Sequence, residues 1–394
     1  MEKLVLAYSG GLDTSYCAKY LSKDQGYEVH AVSVNTGGFS KEEIKEIEQK
    51  ALQLGATTYT SIDAVESFYE KVVKFLIFGN VLKNNTYPLS VSAERIVQAI
   101  EIVNHAKKIG AKYIAHGSTG AGNDQVRFDM IFQIMAPEID IISPTRDMQL
   151  TRQVEIDYLQ ANGIEYSWEK AKYSINKGLW GTSVGGQETL VSDKSLPDEA
   201  YPSQLEEEKP QDIKLSFEKG ELIAINGEKD SPVSNIEKLD KIASKYAIGR
   251  DIHVGDTIIG IKGRVGFEAP APLIIIKAHH LLEKHTLTKW QLMHKDQLAN
   301  WYGMMLHEGQ YLDEVMRNFE AFLQDSQKNV SGDVFVTLQP YRFFLNGIKS
   351  EHDLMSNSFA QYGETNKGWT ADDAKGFIKI TANQGKIYHH VNSK

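Results

Sequence analysis

The sequence predicts an α/β protein: a doubly wound parallel sheet, then a second α+β domain and a helical tail. Three observations carry that prediction. Short apolar runs alternate with helical periods through the first part of the chain. The texture then changes abruptly at residues 185–212, and 394 residues exceed what a single hydrophobic core serves.

The apolar runs at 4–8, 29–34, 57–62, 113–115 and 139–142 have the length of strands, and 14–21, 44–54, 92–108 and 151–160 have helical periodicity between them. This βαβ rhythm brings successive strands back in parallel. Ser40 and Glu43 form a capping box and Gly55 ends the same helix, while a later helix stops near Gly163. Residues 185–212, with Pro197, Pro202, Pro210 and Glu206-Glu207-Glu208, read as a solvated excursion. Beyond it, 214–226 alternates as a hairpin around Glu218-Lys219-Gly220. Ser234 and Glu237 read as a second capping box, opening a helix that stops at Gly249. Helical patterns cover 273–283, 288–306 and 311–324, and 334–338 and 341–345 read as antiparallel strands. A candidate helix beyond Thr370 leaves the globule. The expected units are 1–165, 166–368 and a tail, 369–394.

Cys17 is the only cysteine, which excludes intrachain disulfides, cysteine-rich zinc sites and paired-thiol chemistry. A net charge of -9 argues against a broad polyanion-binding face, and no run of eighteen apolar residues occurs. The expectation is a cytoplasmic protein acting on small molecules, with neither nucleic acid nor membrane as partner.

Ala7-Tyr8-Ser9-Gly10-Gly11-Leu12-Asp13-Thr14-Ser15 joins the first strand to the first helix, where open α/β sheets bind ligands. Gly10 and Gly11 let backbone N–H groups approach phosphate oxygens. Ser9, Thr14 and Ser15 add hydroxyl donors at a helix N-terminus. The loop lacks the lysine of a Walker A motif, and G-x-G-x-x-G is also absent from the chain. Asp13 would repel phosphate unless a cation intervened, so it suggests a Mg2+ ion shared with pyrophosphate.

This S-G-G-x-D-[ST]-S loop resembles that of the N-type ATP pyrophosphatases, which cleave ATP between its α and β phosphates. Within that superfamily, His116-Gly117-Ser118-Thr119-Gly120-Ala121-Gly122-Asn123-Asp124-Gln125-Val126-Arg127-Phe128 is similar to the argininosuccinate synthase signature. The similarity continues at residues 87–92, 173–183 and 370–377. The resemblance implies an adenine nucleotide alpha-hydrolase-like fold, a synthetase and oligomerisation domain, and a homotetramer joined through the second domain and the tail.

It further implies that ATP lies against residues 7–15, Val34 and Gly117. Thr119, Asn123 and Asp124 would hold aspartate, and Tyr87, Ser92, Asn123, Arg127, Ser174 and Ser183 would hold citrulline. The implied reaction, part of arginine biosynthesis, is attack of the ureido oxygen on ATP to give an adenylate and pyrophosphate, followed by displacement of AMP by the aspartate amine. Asp13, Asp124 and Arg127 are the expected catalytic residues. The base that deprotonates aspartate stays open between Asp124 and a substrate phosphate, and His116 reads better as a structural histidine.

The sequence departs from the family pattern in one segment. Gly255 stands where a citrulline-binding glutamate is expected, and Phe267 where a tyrosine is expected. Losing one partner of a buried charge pair costs about 3–5 kcal/mol, so an α-ammonium would bind badly. Two explanations stand. Asp251 or Asp256 replaces the carboxylate, or the substrate is an N-acylated citrulline, with Gly255 making room for the acyl group. Arg250, Lys262 and Arg264 would be candidate partners for a succinyl carboxylate. The competing classes are another adenylating ligase of the superfamily and a non-catalytic nucleotide sensor.

Overall fold

The computed structural model describes residues 1–164, 173–358, 362–363 and 368–393. The expected boundary at 165/166 lies outside them. The first unit contains β1 (Lys3–Ala7), α1 (Leu12–Lys23), β2 (Glu28–Asn35), α2 (Lys41–Gln53), β3 (Thr58–Asp63), α3 (Val65–Phe68), α4 (Lys74–Phe78) and α5 (Ser90–Ile109). It continues with β4 (Tyr113–Ala115), α6 (Asp124–Met135), β5 (Asp140–Ile142), α7 (Pro144–Asp147) and α8 (Arg152–Ala161). The sheet is parallel, in the order β3-β2-β1-β4-β5. Strand order reverses between β1 and β4, so the loops leaving them diverge and open a crevice at their carboxyl ends. The capping box at Ser40 and Glu43 is present, and Gly55 has φ +101°.

After these come β6 (Ser174–Gly178), β7 (Gly181–Gly185), β8 (Gln211–Glu218), β9 (Glu221–Ile225), β10 (Glu228–Lys229), α9 (Pro232–Ala243), β11 (Arg250–Asp256) and β12 (Lys262–Glu268). The chain ends with α10 (Pro270–Thr286), α11 (Lys289–His307), α12 (Glu314–Ser326), β13 (Gly332–Gln339), β14 (Arg342–Lys349), α13 (Ala371–Thr381) and α14 (Asn383–Asn392). These strands form two further sheets, β11-β12-β7-β6 and β10-β9-β8-β13-β14. The predicted hairpins at β8–β9 and β13–β14 pair antiparallel.

Several expectations are corrected. The cap of α9 is Ser231, which accepts from the Ser234 N–H, because Pro232 at the first helical position sets φ for a start three residues earlier. Glu206, Glu207 and Glu208 are exposed, but the excursion is not wholly solvated. Leu196, Ala200 and Tyr201 return to pack on Val184 of β7. β6, β7, β11, β12 and the α3–α4 segment were not anticipated from periodicity.

One apolar cluster lies on one face of the parallel sheet and runs on into the second unit, from Val5 and Val32 through Phe78 and Tyr302 to Leu338. A second, around Leu4, Leu6, Tyr16 and Leu159, covers the other face. α13 and α14 bury none of their residues, and Phe377, Ile380 and Tyr388 are more than two-thirds exposed.

Candidate functional site

A cleft of about 950 Å³ runs from the carboxyl ends of β1, β2 and β4 to β6, β7, β11 and β12. Its first wall is the loop after β1. Gly10 takes φ +77° and Gly11 precedes α1 in extended backbone. Ser9 and Thr14 tie the turn across, with their hydroxyls 3.2 Å apart and Thr14 donating to the Gly11 carbonyl at 3.3 Å. Lys50 of α2 donates to the Gly10 carbonyl at 2.6 Å, fixing that oxygen away from the turn's amides. Gly117, after β4, packs on this loop so closely that a Cβ there would stand 3.0 Å from the Asp13 carbonyl carbon and 3.1 Å from the Thr14 nitrogen.

Ala7, Tyr8, Ser9, Gly11, Leu12, Asp13, Thr14, Val34 and Gly117 all line the cleft. Gly10 and Ser15, expected beside them, are not on its wall. Gly10 presents its carbonyl to Lys50, and Ser15 is wholly buried under the turn because helical periodicity carries it inward from Thr14. The residues suit a magnesium ion bound through one carboxylate and substrate phosphates. Asp13 would supply that carboxylate, and the described residues contain no cluster of three or more His, Cys, Asp or Glu that would make a protein-only cage.

The loop after β4 brings Thr119, Asn123, Asp124 and Arg127 to the same cleft. Asp124 is held on both oxygens, by Arg127 at 2.7 Å and by Arg95 of α5 at 3.0 Å. Burial pushes its carboxyl up, but the two guanidinium groups hold it below its ordinary value. Such a carboxylate stays ionised and is a poor proton acceptor. Arg127 also donates to the His307 carbonyl at 2.8 Å, and Asn123 accepts from the Ile258 N–H at 2.8 Å, tying this loop to the second unit.

Tyr87, Ser92, Ser174 and Ser183 line the cleft as well. The Tyr87 hydroxyl accepts from Ser90 and from the Val91 N–H, both at 3.2 Å, while Ser92 donates to the Leu89 carbonyl. His116 also lines the cleft; its Nδ1 accepts from the Ser118 N–H at 3.2 Å and its Nε2 lies 2.8 Å from Asp129.

Several residues that the sequence left unread belong to the site. Arg95 also reaches Glu94 at 3.0 Å and Gln98 at 2.8 Å. Glu94 accepts from Thr36 at 2.9 Å, and burial raises its carboxyl to about 7 against the pull of Arg95 and Thr36. Both stand one turn or less beyond Ser92 on α5, so helical spacing was the available signal. His253 and His307 line the opposite wall.

Of the residues proposed for an altered pocket, Gly255, Asp256 and Arg264 line the cleft, whereas Arg250, Asp251 and Lys262 do not. Arg250 is turned to Glu268, Asp198 and Ser203. Gly255 does not open empty space, because a Cβ there would meet His253 Nε2 at 2.7 Å. Phe267 is fully buried, with its ring 5.4 Å from that of Tyr87.

The family model "Arginosuccinate synthase N-terminal HUP domain" matches residues 3–165, and "Arginosuccinate synthase C-terminal domain" matches 173–388. The chain is 38% identical to the argininosuccinate synthase of Methanocaldococcus jannaschii, over 98% of each chain. It is 38% identical to that of Pyrococcus furiosus over 99% of this chain and 95% of the relative. Against that of Dictyoglomus turgidum it is 36% identical, over 98% and 97% respectively.

Proposed function

The chain belongs to the argininosuccinate synthase family, and from that premise we propose that its cleft joins a ureido substrate of the citrulline class to L-aspartate at the expense of ATP. The observation that carries this reading is the meeting, in one cleft, of the phosphate loop with the Thr119, Asn123, Asp124 and Arg127 cluster. The products are argininosuccinate or its N-acyl form, AMP and pyrophosphate.

A ureido carbon is a poor electrophile, so its oxygen is activated first. That oxygen attacks the α-phosphorus of ATP and the bond to the β-phosphate oxygen breaks. Backbone amides after Gly10, with the Ser9 and Thr14 hydroxyls, take the charge developing on the departing pyrophosphate. Magnesium, when bound with ATP, neutralises phosphate charge beside Asp13. The aspartate amine then attacks the activated carbon, and AMP leaves with the former ureido oxygen.

Asp124 anchors the incoming amino group. Flanked by two guanidinium groups it lies in a positive field, which disfavours the ammonium relative to the free amine. The released proton goes to a substrate phosphate oxygen, since Asp124 is held too acidic to keep it.

A homotetramer is supported by the unpartnered apolar side chains of α13 and α14, which a second copy would cover. Among the described residues no helix is long and apolar enough to cross a membrane, which is compatible with a cytoplasmic enzyme. The activity is tested by measuring AMP and pyrophosphate formation with ATP, aspartate and a ureido acceptor. Dependence on both co-substrates supports the ligase reading, and ATP binding without turnover supports a nucleotide sensor.

A further inference from the structure

We infer that the ureido substrate carries an acylated α-nitrogen, and that the wall formed by His253 and Gly255 receives the acyl amide. The inference rests on the ligase reading above and specifies its substrate. The ureido end must reach the phosphate loop to react. The α-carbon end therefore points toward the far wall, where β11 and β12 meet Tyr87 and Ser183.

Each carboxylate near that wall already has a cation partner. Apart from Asp13 of the phosphate loop and Glu43 of the α2 cap, the cleft's carboxylates among the described residues are Glu94, Asp124 and Asp256. Arg95 holds both Glu94 and Asp124, Arg127 also holds Asp124, and Asp256 meets Lys262 at 2.7 Å in an exposed pair. Glu308, near Lys83, is not part of the wall. Lys83 also stands behind it, and its ammonium makes no ion pair among the described residues. An added ammonium would meet like charge and find no unpaired carboxylate.

An amide meets a better match. His253 is 6% exposed, stacks on Tyr87 with ring centroids 5.2 Å apart, and leans its Nε2 over Gly255. Its Nδ1 is buried with no hydrogen-bond partner among the described residues. Burial, and then Lys83, lowers its pKa to about 4, so the ring is neutral and offers one donor and one acceptor. An acyl amide presents one acceptor and one donor, without charge. Phe267, packed behind Tyr87, supplies an apolar backing where no polar contact is required.

The test is steady-state pyrophosphate release by the full chain with ATP and aspartate, comparing citrulline, Nα-acetylcitrulline and Nα-succinylcitrulline. A kcat/KM at least about tenfold higher for either acyl derivative than for citrulline is expected. A preference for free citrulline overturns this inference and leaves the ligase reading intact, whereas no turnover with any acceptor overturns both. The His253→Ala/Gly255→Glu double variant supplies a carboxylate without the collision with the imidazole, leaving the movable Asn84 amide 3.2 Å from the new Cβ. It is expected to shift the preference toward free citrulline by about tenfold, and an unchanged preference counts against the inference.

Discussion

Arg95 donates from Nε to Asp124 at 3.0 Å and from NH1 to its chain neighbour Glu94 at 3.0 Å, so one cation in α5 joins two carboxylates of the cleft. Arg95→Ala leaves Asp124 with only Arg127 and Glu94 with only Thr36. Removing one partner of a largely buried pair is expected to cost about 3 kcal/mol of stability. The loss should appear as a lower urea midpoint and as a rise of roughly tenfold or more in KM for aspartate. Lysine carries one ammonium rather than a planar fork, so Arg95→Lys should recover stability only in part. Full recovery by lysine would show that charge alone matters.

Glu94 makes the fold pH-sensitive. Its carboxyl holds a proton up to about 7 in the folded chain, against an ordinary value of 4.5. The folded state therefore binds the extra proton between those values. The corresponding stability is complete below 4.5 and is lost as pH rises through 7. Glu94→Gln, neutral at every pH, should gain on the parent protein by on the order of 3 kcal/mol between pH 5 and 8. Urea unfolding across that range checks it, and parallel profiles would contradict the assignment.

Gly117→Ala should act on ATP with little effect on folding. The added methyl would stand 3.0 Å from the Asp13 carbonyl carbon, so the phosphate loop must move. A fall of about tenfold in kcat/KM for ATP is expected, with KM for aspartate nearly unchanged. Crowding that spared ATP binding would mean the loop is not the nucleotide site.

Deleting residues 369–394 should reduce the assembly. Its two helices expose Phe377, Ile378, Ile380, Ile387, Tyr388 and Val391, and none of their residues is buried. Light scattering should find a smaller species than the full chain gives. An unchanged mass would assign the tail another role.

The parallel sheet and its ligand edge were legible because βαβ units are specified locally, by periodicity and caps such as Ser40 with Glu43. The phosphate loop was legible for the same reason, lying within one strand-turn-helix unit. β6, β7, β11 and β12 were hidden because Ser-Ile-Asn-Lys-Gly and Arg-Asp-Ile-His-Val-Gly-Asp show little apolar alternation. Their pairing with each other forms the strand. Glu94 and Arg95 look like solvated helix charges until Asp124 and Thr36, distant in sequence, arrive beside them. Gly255 is legible as a missing carboxylate, but the imidazole over it depends on how His253 is packed against Tyr87.

The most direct measurement follows the ureido oxygen. Citrulline and Nα-acetylcitrulline labelled with ¹⁸O at the ureido position are incubated with the enzyme, ATP and aspartate, and the AMP and pyrophosphate are analysed by mass spectrometry. Attack of that oxygen on the α-phosphorus predicts one ¹⁸O atom in each AMP formed and none in pyrophosphate, with turnover dependent on aspartate. Unlabelled AMP, or label in pyrophosphate, would contradict the account.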